Sequence, residues 1–269
     1  MTADSPPRTV LDLTAMKAAG RKIVMLTCYD AAFARLIAPE VDVLLVGDSV
    51  NQVVAGYETT LNATLDQLIY HARAVRRGAP EALVVVDLPF LSYQVSIEEA
   101  IRNAGRVLQE TGAQGVKLEG GRPMMATVRA LVERGIPVMA HIGLTPQSVH
   151  ALGGYRVQGR ESGAPERMLE DARDLEEAGA FGLVLELVPA QVAARITRSL
   201  RIPTVGIGAG AACDGQVLVL HDMLGLNEAF SPRFLKRFAA LGGAVRGAAK
   251  AYADEVRQGK YPAAEHSFD

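Results

Sequence analysis

The stretch VDVLLVGDS (residues 41–49) decides the fold. It is apolar up to Gly47 apart from Asp42, and it is too short and too evenly apolar to be one face of an amphipathic helix. It reads as a strand buried on both faces, the kind found in parallel sheets. Asp48 stands where that strand must end. The same design recurs in ALVVVDLPF (82–90), GVKLEGG (115–121) and FGLVLELVP (181–189), which place Asp87, Glu119 and Glu186 at three further strand ends. Acids at the carboxyl ends of several parallel strands gather on one rim, where α/β barrels keep their chemistry.

Four more segments complete the pattern. Strands are predicted over residues 23–28, 41–46, 83–86, 115–118, 137–140, 182–185, 203–206 and 217–220, with amphipathic helices over 65–77, 96–111, 123–134, 165–179 and 189–200. Ser96-Ile97-Glu98-Glu99 has the form of a helix N-cap followed by acids in the first turn. Strand–helix alternation without a low-complexity linker predicts a single-domain (β/α)₈ TIM barrel over 1–269, with a short N-terminal extension and a helical tail over 232–258. A doubly wound open sheet permits the same alternation. Two connections exceed the usual few residues, 51–60 after the second strand and 144–164 after the fifth; long loops on the strand-end rim commonly act as lids.

Bulk properties narrow the partners. A chain of 269 residues, 49% hydrophobic, suffices for one large barrel core, and a net charge of −2 argues against nucleic acid or an anionic membrane. Cys28 and Cys213 make neither a metal-type pair nor a disulfide framework, so a reducing cytoplasm is the expected home. The N-terminal segment lacks an apolar signal core, and no run approaches the length of a membrane span.

The rim residues imply particular chemistry. Asp48, Asp87 and Glu119, with no histidine or cysteine expected nearby, make a hard oxygen site suited to Mg²⁺ better than to Zn²⁺. The bland alternative makes each a helix cap after a βα turn. Lys117, in an otherwise apolar strand, must point into the barrel or be paired, because burying a lone ammonium is costly. It can serve as a cation for a carboxylate or enolate oxygen, as a Schiff-base amine, or as a structural ion-pair partner. Glu186 has apolar neighbours in sequence, surroundings that raise a carboxylate's pKa and suit a general base. His141 ends the fifth strand on the same rim. His71, His150, His221 and His266 lack ligand spacing and read as structural. Ile207-Gly208-Ala209-Gly210 has the form of a phosphate cradle, although close backbone packing explains such a turn equally well.

The segments LLVGDSVNQVVAGYETT, VVVDLPFLSY, GVKLEGG, PVMAHIGLTPQSVHALGGYRVQGR, LVLELVP and PTVGIGAG together resemble the 3-methyl-2-oxobutanoate hydroxymethyltransferase family, in the family's order and over nearly the whole chain. The resemblance implies a barrel of the phosphoenolpyruvate/pyruvate type and one-carbon transfer from 5,10-methylenetetrahydrofolate to 3-methyl-2-oxobutanoate, giving 2-dehydropantoate in pantothenate synthesis. It also implies one Mg²⁺ per subunit at Asp48, Asp87 and Glu119, directly or through water. Asp48, Ser49, Asp87 and Lys117 would contact the oxo acid, with His141 as a further contact and Glu186 as proton acceptor. A homo-oligomer, commonly a decamer, is implied as well. The nearest rival is a Mg²⁺-dependent carbon–carbon lyase of the isocitrate-lyase-like group, which works with a loop cysteine near Lys and His; neither Cys28 nor Cys213 sits in such a cluster. A non-catalytic metabolite-binding barrel is the other reading.

Overall fold

The computed structural model describes residues 9–268. Contacts divide the described residues into two compact units, one ending at Val219 and one beginning at Leu220; the start of the expected N-terminal extension, residues 1–8, lies outside the described residues. The first holds eight parallel strands in a closed barrel: β1 (Ile23–Thr27), β2 (Val43–Val46), β3 (Val84–Asp87), β4 (Gly115–Glu119), β5 (Val138–Gly143), β6 (Gly182–Glu186), β7 (Thr204–Ile207) and β8 (Gly215–Leu218). They pair in sequence order, and β8 closes on β1 with Ile23 opposite Gly215. That closure excludes the open sheet.

The helices of this unit are α1 (Val10–Ala18), α2 (Ala31–Ile37), α3 (Val50–Val53), α4 (Leu65–Gly78), α5 (Ile97–Thr111), α6 (Met125–Val132), α7 (Ala164–Glu177) and α8 (Ala190–Ser199). The five expected helices are present. Ser96 caps α5 as its sequence predicts, accepting the Glu99 N–H at 3.1 Å. The helix expected over 123–134 is shorter, because a 3₁₀ turn at Arg122–Met124, with Pro123 in it, precedes α6. α1, α2 and α3 were not anticipated. Asp30 starts α2 by accepting from the Ala32 and Phe33 N–H groups at 2.8 and 2.9 Å.

The eighth strand departs from its expected bounds, starting at Gly215 rather than 217. Gly215 lies opposite both Ile23 and Val205, and a Cβ there would stand 2.5 Å from the Ile23 carbonyl oxygen. A glycine inside a strand marks such close backbone approach.

Alternate residues of each strand face the barrel interior, and their chemistry changes with height. Met25, Val43, Val85, Met139, Val184 and Val205 belong to one apolar cluster, joined by Leu13 and Met16 of α1. Two residues further along their strands come Asp87 after Val85, His141 after Met139 and Glu186 after Val184, with Lys117 and Glu119 on β4. The outward residues are apolar too, being packed under helices, so β2, β3 and β4 are buried throughout and period-two alternation is hidden.

In the second unit the expected helix over 232–258 is present only as α10 (Leu241–Arg257), after the short α9 (Leu220–Met223). The residues before α10 spend their polar groups on a loop. Arg237 Nη2 donates to the Glu228 and Phe230 carbonyls at 2.9 Å each, and Phe238 N–H donates to Met223 O at 2.8 Å. Glu228 in turn takes a two-pronged ion pair from Arg246, at 2.6 and 2.9 Å.

Candidate active site

β3, β4 and β6 run one residue further than the apolar pattern indicated, so Asp87, Glu119 and Glu186 are the last residues of their strands. Asp48 follows β2 by two. Asp48, Ser49, Asp87, Lys117, Glu119, His141 and Glu186 line one cavity of about 80 Å³ in the barrel mouth. All the residues singled out on the rim are therefore brought together. None of the four acids caps a helix. The Asp48 N–H donates to Asp87 Oδ2 at 3.0 Å, so the two aspartates are linked before any ligand arrives.

Lys117 Nζ lies 3.1 Å from Asp87 Oδ1 and 3.9 Å from Glu119 Oε1. Burial works against the ammonium, but the charges of Asp87, Glu119 and Asp48 outweigh it and hold the amine above its ordinary pKa. An amine held charged in this way is disfavoured as a Schiff-base nucleophile, which needs the neutral form. Its roles as ion-pair partner and as cation in the pocket coexist.

His141 sits between two glutamates, with Nδ1 3.3 Å from Glu119 Oε1 and Nε2 3.4 Å from Glu186 Oε2. Burial and Lys117, whose Nζ lies 3.3 Å from Nδ1, pull its pKa down, yet Glu119 and Glu186 outweigh them and push it up to about 9; a histidine thus stands beside the acids, against the sequence expectation. Burial would raise Glu119, but His141 and Lys117 outweigh it and hold its carboxyl below the usual range. Glu186 is less enclosed than its apolar neighbours in sequence suggested; its side chain is 20% exposed and faces His141. The next residue, Leu187, holds φ at +46°, a left-handed conformation that non-glycine residues seldom adopt and that marks local strain beside the acid.

Sequence reasoning missed two residues that organise this rim. Gln147 Nε2 donates to Asp48 Oδ2 at 2.9 Å and to Leu88 O at 3.0 Å, while the Gln147 N–H donates to Glu119 Oε2 at 3.0 Å. Tyr93 Oη donates to Gln147 Oε1 at 2.7 Å and accepts the Glu119 N–H at 3.0 Å. One buried amide thus ties an acid from β2 to an acid from β4. The available signal was the HIGLTPQ stretch, which ends in a polar residue four positions after β5. Tyr29 Oη shares a hydrogen with Ser49 Oγ at 2.8 Å and fixes that hydroxyl at the cavity wall.

Other candidates gain no support. Cys28 and Cys213 are buried and line no part of this cavity; burial pushes the Cys28 thiol up to about 11, so it is inert. The glycines after β7 serve packing: a Cβ on Gly210 would meet the Ala190 Cβ at 2.6 Å. Gln52, in the long loop after β2, donates to Tyr155 Oη in the long loop after β5 at 3.1 Å, so the two loops touch.

The charge balance describes what the cavity lacks. Four carboxyl groups face two cations. Burial, reinforced by the charges of Asp87 and Glu119, pushes the Asp48 carboxyl up to about 8. The excess of hard oxygen donors fits a divalent cation of the Mg²⁺ kind. Among the described residues no three His, Cys, Asp or Glu side chains converge as a preformed ligand set. A cation held here would need water in its shell, as Mg²⁺ commonly has.

Solved structures with the same architecture include a phosphonopyruvate hydrolase in complex with oxalate and Mg²⁺ (TM-score 0.63, 12% identity, covering 96% of this chain and 92% of that one). A 2,3-dimethylmalate lyase of the PEP mutase/isocitrate lyase superfamily follows at TM-score 0.57 and 16% identity, covering 96% and 91%. At such identities the likeness concerns the fold. Sequence relatives are far nearer. The 3-methyl-2-oxobutanoate hydroxymethyltransferase of Syntrophotalea carbinolica is 56% identical over 262 residues, spanning 97% of this chain and 98% of its own. That of Syntrophus aciditrophicus is 57% identical over 254 residues, spanning 94% and 93%. The family model for ketopantoate hydroxymethyltransferase matches residues 7–264, and the chain belongs to that family.

Proposed function

We propose that this chain transfers a hydroxymethyl group from 5,10-methylenetetrahydrofolate to 3-methyl-2-oxobutanoate, giving 2-dehydropantoate, the first step of pantothenate synthesis. One observation carries the reading: Glu186 opens into the same small cavity as Asp48, Asp87, Lys117 and Glu119, in a chain 56% identical to a relative of that name.

The C3–H of a 2-oxo acid is weakly acidic, and its removal places negative charge on the keto oxygen. Lys117, held charged by its three acids, supplies positive potential where that charge develops. Ser49, fixed by Tyr29, offers a hydroxyl to the substrate. Asp48, Asp87 and Glu119 would hold one Mg²⁺ per subunit, in part through water, and the bound cation would act as a Lewis acid toward the oxo-acid oxygens. Glu186 accepts the C3 proton, oriented by the His141 imidazolium at 3.4 Å. Water adds to the donor's methylene carbon as its two C–N bonds break, so tetrahydrofolate leaves and the carbon remains as an enclosed formaldehyde; the enolate C3 adds to that carbonyl, and the new alkoxide takes back the proton held by Glu186.

In this reading the enzyme is cytoplasmic and assembles as a homo-oligomer, a decamer by family habit. Among the described residues no helix is long and apolar enough to cross a membrane. Val245, Tyr252 and Val256 are exposed on α10 and support self-association. Supplying the donor with a ¹³C-labelled methylene carbon tests the reaction. The label is expected in the hydroxymethyl group of 2-dehydropantoate, and label that stays in folate or appears as free formaldehyde counts against it.

A further inference from the structure

The cavity that holds the acids measures about 80 Å³, enough for a small oxo acid but not for a folate. A second cavity of about 570 Å³ lies beside it, walled by the loop after β5 and the start of α7. The two share strand ends. Glu119 and His141 face the small cavity, while Gly120 and Ile142, each one residue on, face the large one. The loop is also stitched to the strand that carries Glu186: Leu144 N–H donates to Glu186 O at 2.8 Å, and Gln158 N–H donates to Leu187 O at 2.9 Å. Its volume falls in the range of ordinary ligand sites.

The large cavity is basic. Arg156, Arg160 and Arg167 line it against two acids, Glu161 and Asp171. Asp171 is already engaged, accepting the Arg122 N–H at 2.9 Å. Among the described residues none of the three arginines has an ion-pair partner, whereas Arg106, Arg122 and Arg246 elsewhere on the surface are each paired. Forked guanidinium donors left without carboxylates on one wall match a ligand that brings its own.

We propose that this cavity binds the carboxylate-bearing glutamyl end of the folate donor, with Arg156, Arg160 and Arg167 as its contacts. The assignment rests on the function proposed above and gives its second substrate a place. The pterin end, which carries the methylene carbon, then extends across the β5 and β6 ends toward Glu186. The arginines are solvent-exposed, so the attraction weakens as salt screens it.

The test compares 5,10-methylenetetrahydrofolate with 5,10-methylenetetrahydropteroate, which lacks the glutamate, on the wild-type chain and on an Arg156→Ala/Arg160→Ala/Arg167→Ala variant. The wild type is expected to show a KM for the folate lower by about ten-fold or more, the size of one charge-assisted contact. Raising the ionic strength should shrink that gap. In the variant the two donors are expected to share one high KM, with Lys at the three positions restoring part of the difference. A variant that keeps the wild-type preference, or a wild type that has none, overturns the assignment. Deuterium exchange at C3 of 3-methyl-2-oxobutanoate without donor reports whether the variant is folded. A wild-type chain that makes product from neither donor contradicts the function itself rather than the location of the folate.

Discussion

Two levels of the barrel interior, a single strand step apart, are built from opposite materials. Val85, Met139 and Val184 make the lower level, inside the main apolar cluster. Asp87, His141 and Glu186 make the upper one, two residues further along the same three strands. The backbone is equally regular at both levels, so the strands fix side-chain positions with the same rigidity whether the cargo is methyl groups or charges. The lesson is that the barrel supplies placement and the upper level alone supplies chemistry. Charge is tolerated there because both cations are flanked by acids, Lys117 by Asp87 and Glu119 and His141 by Glu119 and Glu186, while the acid in excess is left for a further cation.

Substitutions should separate the two levels. Glu186→Gln is expected to slow C3 proton removal by about 10²–10⁴-fold, the usual worth of a positioned base, with cation-dependent binding of the oxo acid and thermal stability kept. Loss of binding to the same degree would collapse the division of roles between Glu186 and the other acids. Lys117→Met removes the cation that buried carboxylates depend on; a loss of about 3–5 kcal/mol of stability is expected together with loss of oxo-acid binding, read by denaturant titration and calorimetry. Met139→Ala, at the lower level, should cost about 2–5 kcal/mol through the cavity it leaves, while the folded fraction turns over near the wild-type rate. A Met139→Ala enzyme that is stable but inactive would break the comparison. Gln147→Leu should cost about 1–3 kcal/mol by removing the donor to the Leu88 carbonyl and to buried Asp48, and should weaken cation affinity by loosening Asp48 from Glu119.

The pH dependence of the cation-free protein is a gentler test. The Asp48 carboxyl is raised by burial and by Asp87 and Glu119 to about 8, so the folded state holds a proton that the unfolded chain releases near pH 4. The folded state then binds more protons across that window, and the sign follows: stability is greatest below the unfolded pKa and declines as pH rises toward 8. Melting temperature without a divalent cation should fall gradually over that range, and Mg²⁺ should flatten the trend by replacing the proton. A melting temperature that climbs from pH 5 to 8 in EDTA would show that Asp48 is not strained in this way.

Much of the barrel could be read from sequence because parallel strands buried on both faces leave short apolar runs such as VVVD and GVKLE, and because their ends carry acids. The upper level was legible for the same reason. What escaped notice depends on contacts remote in sequence. Gln147 matters through Asp48, Leu88 and Tyr93, none of which its neighbours reveal. The true start of β8 is set by how closely Gly215 approaches Ile23. α2 is a single short piece whose one clear signal is the Asp30 cap, three residues after β1, and seven residues are too few to show a helical period. The region before α10 looks helical in composition, but Arg237 fastens it as a loop. The 570 Å³ cavity is walled by the loop after β5 and the start of α7, so its three arginines lie close in sequence, at 156, 160 and 167, but what they face depends on how the loop folds.

The central claim is that the upper level of the barrel removes the C3 proton of a 2-oxo acid. Proton NMR of 3-methyl-2-oxobutanoate in D₂O with the protein and Mg²⁺, first without and then with the folate donor, tests it most directly. The account predicts collapse of the methyl doublet as deuterium enters C3, abolished by EDTA and by Glu186→Gln. A doublet that persists under both conditions, or a collapse that Glu186→Gln leaves untouched, would contradict it.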